Sequence, residues 1–93
     1  MDNSSIITRE TLIKNKLGMH VRPASRIVQI AESSNSKVRL CVGKTKVDAT
    51  SIIDILTLGA VQGTKVIIEV ENKHDIAILD QIADFFEKGF GEE

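Results

Sequence analysis

The sequence predicts an α+β fold, a two-layer sandwich of four strands and three helices. Four segments alternate apolar with polar side chains, which is typical of strands covered on one face, and three carry apolar side chains at helical spacing. Their order along the chain is β-α-β-β-α-β-α. The 93 residues, 42% hydrophobic and 27% charged, are enough for one hydrophobic core, so we expect a single domain over residues 1–93.

Alternation and turn residues define the four strands. Residues that tolerate unusual backbone conformations follow the first strand at Asn15 and Gly18, and Gly43 separates the second strand from the third. The second and third strands are close enough in sequence to form a short hairpin. The predicted strands are residues 7–14, 38–42, 45–47 and 64–71.

Each helix has a start signal. Pro23 suits the start of the first helix, because the N–H that proline lacks has no acceptor in a first turn. Ser51, followed by Asp54, matches a pattern in which a hydroxyl caps a backbone N–H, and Asp75 is placed to cap the last helix. The short second helix has more apolar residues than one face can bury, so we expect some to be exposed. Residues 89–93 are expected to be loose.

Composition and charge exclude several classes of protein. The net charge is −1 and only three residues are aromatic, so the chain lacks the basic surface and stacking rings of a nucleic-acid binder. No apolar run is long enough to cross a bilayer and no secretory signal is visible, so we expect a cytoplasmic protein without membrane insertion. One cysteine, Cys41, and two distant histidines, His20 and His74, argue against a metal site, and no cofactor is expected.

The segment around His20 has the properties of a site for a phosphoryl group. The first-turn N–H groups of the helix that follows lack intrahelical acceptors and carry about half a positive charge. A neutral imidazole is a competent nucleophile, and Arg22 adds a guanidinium that can contact phosphoryl oxygens. A surface or core histidine followed by an ordinary helix start is the other interpretation that these residue types allow.

Two segments carry the signatures of a known family. Residues 15–24 read Asn-Lys-Leu-Gly-Met-His-Val-Arg-Pro-Ala, and residues 51–60 read Ser-Ile-Ile-Asp-Ile-Leu-Thr-Leu-Gly-Ala. At this separation the two segments resemble those of the HPr family, the histidine-containing phosphocarriers of the phosphoenolpyruvate-dependent phosphotransferase system. The resemblance implies an open-faced sandwich with an antiparallel four-stranded sheet and three helices on one face. It also implies a relay rather than a turnover enzyme: enzyme I phosphorylates His20 on Nδ1, and the group passes to a IIA component.

The family's functional positions match residues of this chain. Arg22 matches the arginine that assists the histidine, and Pro23 matches the proline that begins the first helix. Ser51 matches the serine that HPr kinase/phosphorylase modifies in some bacteria, although its hydroxyl is fully explained as a helix cap. We expect a monomer that docks its partners through the first helix and the apolar residues of the second. The predicted docking residues are Arg22, Arg26, Ile27, Ile52, Ile53 and Leu56.

Departures from the family pattern leave the branch of the system open. Val21 stands where alanine is usual, and Asp54 stands where many members of the sugar branch have glycine. Met19 and the tail resemble the nitrogen-branch relative, NPr. Two rival functions use no phosphoryl relay: a small α+β ligand-binding or regulatory module, and a hydrolase that uses His20 with Ser51 as nucleophile. No acidic orienting residue is evident in the sequence near either His20 or Ser51.

Overall fold

The computed structural model describes residues 6–92 and contains the seven predicted elements in the predicted order. Two short 3₁₀ turns, Lys73–Asp75 and Gly89–Gly91, flank the last helix. The elements are β1 (Ile7–Leu12), α1 (Val21–Ala31), β2 (Val38–Val42), β3 (Thr45–Asp48), α2 (Ile52–Thr57), β4 (Lys65–Val70) and α3 (Ile76–Glu87).

The four strands form one antiparallel sheet in the order β1-β4-β2-β3, which confirms the predicted open-faced α+β sandwich. β4 is central, and Val70 lies opposite both Ile7 of β1 and Val38 of β2. The alternation of β4 directs Val66 and Ile68 into the core with the helices. The sheet therefore brings the first and last strands of the chain together.

The core lies between the sheet and the three helices. α1 and α3 each bury an apolar stripe whose members are at most 8% exposed, as the helical spacing predicts. The apolar members that these two helices contribute are Ala24, Ile27, Val28, Ile30, Ala31, Leu79, Ile82 and Phe86.

Glu69 is buried on the sheet face that points away from the helices, where the alternation of the strands predicts exposed side chains. Its side chain is 8% exposed because Arg39 and Lys46 each approach one of its carboxylate oxygens to 3.1 Å. Cys41 is buried beside this cluster, and burial raises the pKa of its thiol. The open face is therefore closed locally by ion pairs. Within residues 6–92, no helix combines the length and hydropathy that crossing a bilayer requires.

The first helix begins two residues earlier than predicted. Val21 is its first residue and His20 its N-cap, so Pro23 is the third helical residue and not the first. Proline lacks an N–H, but the first N–H groups of any helix have no intrahelical acceptor, so proline costs no hydrogen bond at any of these positions. Pro23 is therefore tolerated anywhere in the first turn.

Asp75 does not cap α3, contrary to the prediction from sequence. It is fully buried, and its carboxylate accepts four hydrogen bonds of 2.7 to 3.2 Å from backbone and side chain of Asn35 and Ser36. Burial by itself raises the pKa of Asp75, but these hydrogen bonds outweigh it and hold the pKa below its usual value. Asp75 therefore ties the loop after α1 to the start of α3.

We expect Asp75→Asn to lower the free energy of unfolding by about 2 kcal/mol near neutral pH. The amide N–H of the new asparagine would face N–H and O–H groups of Asn35 and Ser36 that now donate to the carboxylate. The folded-state pKa of Asp75 lies below the unfolded value. Its contribution is therefore complete above about pH 4 and is lost as the pH falls through the folded-state pKa. The variant should lose less stability in acid than the native protein does, which denaturant titrations at neutral and acidic pH measure.

Asp80→Asn is the matched control for this experiment. Asp80 lies on the same helix, but its side chain is 56% exposed and pairs with Arg9 at the surface. We expect its substitution to change stability by less than about 0.5 kcal/mol. Equal losses in the two variants would contradict the structural role of Asp75.

Candidate functional site

His20 occupies the N-cap position of α1. Its backbone is extended, with φ −123°, and its carbonyl accepts the first helical hydrogen bond, from Ala24 N at 3.1 Å. The side chain makes no capping hydrogen bond, and no acidic residue lies in the first turn. The N–H groups that open α1 therefore keep their partial positive charge beside the imidazole.

The loop before His20 is fixed from two sides. Asn15 is 2% exposed and donates from Nδ2 to the Gly18 carbonyl at 2.9 Å. Gly18 has φ +71°, and a Cβ at this position would lie 2.6 Å from the Ala60 carbonyl oxygen. The same oxygen accepts from Met19 N at 2.9 Å. The turn chemistry predicted from Asn15 and Gly18 thus sets the position of the backbone that carries His20.

A carboxylate holds the imidazole. Glu92 Oε2 lies 2.7 Å from His20 Nε2, and the Glu92 side chain is only 11% exposed. The sequence prediction that no acidic orienting residue accompanies His20 is therefore wrong. No residue between 6 and 92 bonds to Nδ1 of this ring. The ring, which is 33% exposed, is thus held at one nitrogen, and its other nitrogen has no partner among residues 6–92.

Arg22 lies next to this pair and is largely exposed to solvent. Its guanidinium Nη2 is 3.8 Å from Glu92 Oε2, and its side chain is 81% exposed. Leu17, His20, Arg22 and Glu92 line an open depression of about 610 Å³. The structure therefore brings His20 and Arg22 together, as the sequence predicts, beside a space large enough for a phosphoryl group.

The C-terminal segment is packed against the core and is not loose, which corrects the prediction for residues 89–92; Glu93 lies outside the described residues. Phe90 is 7% exposed, and its ring centroid lies 5.0 Å from that of Phe86 and 5.1 Å from that of Phe85. Its φ of +60° lets the chain turn back toward His20. The one signal in the sequence was an aromatic residue between two glycines in an otherwise polar tail.

Ser51 caps the short helix α2, as predicted. Its hydroxyl accepts a hydrogen bond from Asp54 N at 3.2 Å. The reciprocal bond of the pattern does not form, because Ser51 N donates to the Asp48 carbonyl at 3.1 Å. The hydroxyl therefore already has a structural use.

The apolar residues of α2 divide between core and surface. Ile55 is fully buried, whereas Ile53 is 74% exposed and Ile52 is at the margin of exposure. Leu56 is half-buried against the core, and Ile27 of α1 is fully buried. The prediction of Ile27 as a docking residue is therefore wrong, because position 27 belongs to the inward stripe of its helix.

Two exposed apolar residues beside His20 were missing from the predicted surface. Leu17 precedes it in the loop and is 75% exposed, and Val21 follows it as the first residue of α1 and is 59% exposed. Large apolar side chains in an otherwise polar loop are the signal that the sequence offered. Leu17 and Val21 therefore give the chain an apolar rim near the imidazole.

The family model for the PTS HPr component phosphorylation site matches residues 7–88. The chain belongs to the HPr family. It is 38% identical over 81 residues to phosphocarrier protein HPr of Chlamydia pneumoniae, covering 87% of this chain and 75% of that protein. It is 35% identical over 86 residues to phosphocarrier protein NPr of Proteus mirabilis, covering 91% and 96%.

The fold is similar to that of a solved HPr. The crystal structure of HPr-C-His from Thermoanaerobacter tengcongensis aligns with a TM-score of 0.86 and 36% identity, covering 94% of this chain and 98% of that one. Membership of the HPr family supports a phosphocarrier role in the phosphotransferase system. Proteins named HPr and a protein named NPr are thus both similar to the chain.

Proposed function

We propose that this HPr-family protein accepts a phosphoryl group on Nδ1 of His20 from enzyme I and passes it to a IIA component. The observation that carries the proposal is the state of the ring: Nε2 is held by Glu92, and Nδ1 has no partner among residues 6–92. The nucleophilic nitrogen is thus available at the positive end of α1.

Arg22 is proposed to contact the bound phosphoryl oxygens. Its exposed guanidinium lies beside the imidazole and can give parallel hydrogen bonds to an oxyanion. A relay must release what it accepts, and every 1.4 kcal/mol of excess stabilisation shifts the transfer equilibrium about tenfold toward retention. One exposed arginine and one helix end, each contributing about 0.3 to 1 kcal/mol when exposed, are suited to such reversible binding.

The proposal is tested by incubating the native protein with phosphoenolpyruvate and enzyme I. We expect intact mass to rise by one phosphoryl group, and the group to be labile in acid and stable in base, as a phosphohistidine is. Transfer of the group to a purified IIA component completes the relay. An unlabelled protein, or a label that survives acid, would overturn the assignment of His20.

Docking of enzyme I and the IIA component is proposed to use the exposed part of the predicted surface and the apolar rim. Transfer requires two reacting centres to be aligned with water excluded, so a patch around His20 has to be covered by each partner in turn. The proposed members are Leu17, Val21, Arg22, Arg26, Ile52, Ile53 and Leu56.

We expect Ile53→Glu to raise the half-saturating concentration for phosphorylation by enzyme I at least tenfold. The side chain is 74% exposed, so the change costs little stability, but it places a charge in a contact from which water is expelled. Kinetics with phosphorylated enzyme I measure the docking defect, and thermal unfolding measures the fold. Unfolding of the variant, or native kinetics, would contradict the role of Ile53.

Leu12→Glu is the matched control for Ile53→Glu. Leu12 is also an exposed apolar residue, 44% accessible, but it lies on β1, where it pairs with Lys65 of the sheet. The same change of side chain there should leave the half-saturating concentration for enzyme I unchanged.

Phosphorylation of Ser51 by an HPr kinase/phosphorylase is a second, separate part of the proposal. Ser51 begins a helix, where a phosphate would be favoured by the first N–H groups, and it directly precedes the exposed Ile52 and Ile53. A phosphate there would cover the apolar surface and add negative charge beside Asp54. Phosphorylated Ser51 should therefore slow the phosphorylation of His20.

A further inference from the structure

Glu92 makes the most specific polar contact of the site, and it lies beyond residues 7–88, the segment that the family model matches. It is nearly buried, with 11% of its side chain exposed, although it belongs to the C-terminal tail. Its two carboxylate oxygens are divided between two partners: Oε2 contacts His20, and Oε1 accepts from Asn15 Nδ2 at 2.7 Å. Such a contact requires a chemical explanation.

The hydrogen bond between Glu92 and His20 fixes the tautomer of the ring. An ionised carboxylate can only accept hydrogen bonds, so at 2.7 Å the proton of the neutral imidazole must reside on Nε2. Nδ1 then carries the lone pair. A ring with the opposite tautomer would present an N–H to the incoming phosphorus and could not attack it.

Asn15 fixes the position of Glu92 in turn. Its amide nitrogen lies between two acceptors, the Gly18 carbonyl and Glu92 Oε1, at 2.9 and 2.7 Å. Reversing the amide would place its oxygen against both, so only one orientation satisfies the contacts. The packed ring of Phe90, two residues before Glu92, anchors the tail from the other side. Glu92 is thus positioned before any partner arrives.

We propose that Glu92 is the positioning residue of His20: it keeps the imidazole oriented and in the Nε2–H form, so that Nδ1 is the nucleophile. The inference rests on the proposed phosphorylation of His20 and adds the group that prepares it. In the step itself, the Nδ1 lone pair forms the N–P bond while the bond between phosphorus and the donor nitrogen of enzyme I breaks. The electron pair of the broken bond stays on the donor nitrogen of enzyme I. The proton of His20 stays on Nε2, in its hydrogen bond to Glu92.

The first test measures the tautomer in the unphosphorylated protein, without any partner. Two-bond ¹H–¹⁵N correlation spectra at a pH where free imidazole is neutral distinguish the two forms of the ring. We expect the native protein to show His20 as the Nε2–H form, and Glu92→Ala to gain a clearly resolved Nδ1–H population. Identical ring ¹⁵N shifts in the two proteins would overturn the inference.

The second test is the rate of phosphorylation by enzyme I under saturating conditions. We expect Glu92→Ala to react about tenfold more slowly, with an unchanged half-saturating concentration, because the loss affects the attack and not the docking. Glu10→Ala removes an exposed glutamate on β1, away from the site, and should react at the native rate. A native rate in Glu92→Ala would overturn the inference.

The two tests separate this inference from the proposed function. Failure of the native protein to accept a phosphoryl group would refute the relay, while the tautomer spectra would still report what Glu92 does to the ring. Phosphorylation of the native protein, combined with an unaltered tautomer and rate in Glu92→Ala, would refute only the role of Glu92.

Discussion

Replacing His20 by alanine is expected to abolish phosphoryl uptake from enzyme I while the protein stays folded. The substitution removes the only nucleophile proposed for the reaction, so the loss should exceed every other change considered for the site. The ring is one-third exposed, and its polar contact within residues 6–92 is the part-buried hydrogen bond to Glu92. We therefore expect the free energy of unfolding to change by no more than about 1 kcal/mol.

Intact mass after incubation with phosphoenolpyruvate and enzyme I measures this effect, and thermal unfolding measures the fold. His74→Ala is the control, because His74 is exposed in the 3₁₀ turn before α3 and should be labelled like the native protein after its replacement. An acid-labile phosphoryl group on His20→Ala would refute the proposed acceptor. Loss of the label from His74→Ala would do so as well.

Gly18→Ala is expected to be the most destabilising single-methyl change in the loop, lowering the free energy of unfolding by about 2 to 4 kcal/mol. Two costs combine at this position. The residue has φ +71°, which an L side chain adopts only with strain of about 1 to 2 kcal/mol. Its Cβ would also lie 2.6 Å from the Ala60 carbonyl oxygen, so the backbone must shift and weaken the bond from Met19 N to that oxygen.

Gly43→Ala separates these two costs. Gly43 has φ +58° in the β2–β3 turn, but nothing lies within 4 Å of the added Cβ. It should cost about 1 kcal/mol and leave phosphorylation unchanged, whereas Gly18→Ala should also slow phosphorylation because it displaces the backbone before His20. Denaturant unfolding and the enzyme I assay measure both variants. Equal effects in the two would show that the contact with Ala60 has no energetic weight.

The fold was predictable because its signals are local. The alternation of β4, the helical spacing of α1 and the Ser51 cap each lie within a few neighbouring residues, and each element forms where its pattern occurs. The ends of the elements moved by one or two residues, as with Pro23, since several positions of a first turn satisfy the same requirement.

The missed contacts join residues that are far apart in the chain. Asp75 looked like a helix cap from its neighbours, but its partners, Asn35 and Ser36, lie about forty residues earlier. His20 and Glu92 are separated by 72 positions. No periodicity links such pairs, because a tail returns to a loop only through the packing of the whole domain, here through Phe90. The proposed nucleophile, His20, was therefore recognisable from sequence, and its carboxylate partner, Glu92, was not.

The central position of β4 in the sheet affects when the protein can fold during its synthesis on the ribosome. β4 pairs with β1 on one side and with β2 on the other, yet it is the last of the four strands to be synthesised. Until Lys65–Val70 has left the exit tunnel, only the β2–β3 hairpin can form a native ladder, and β1 has no partner strand. The sheet can therefore be completed only after β4 has been synthesised.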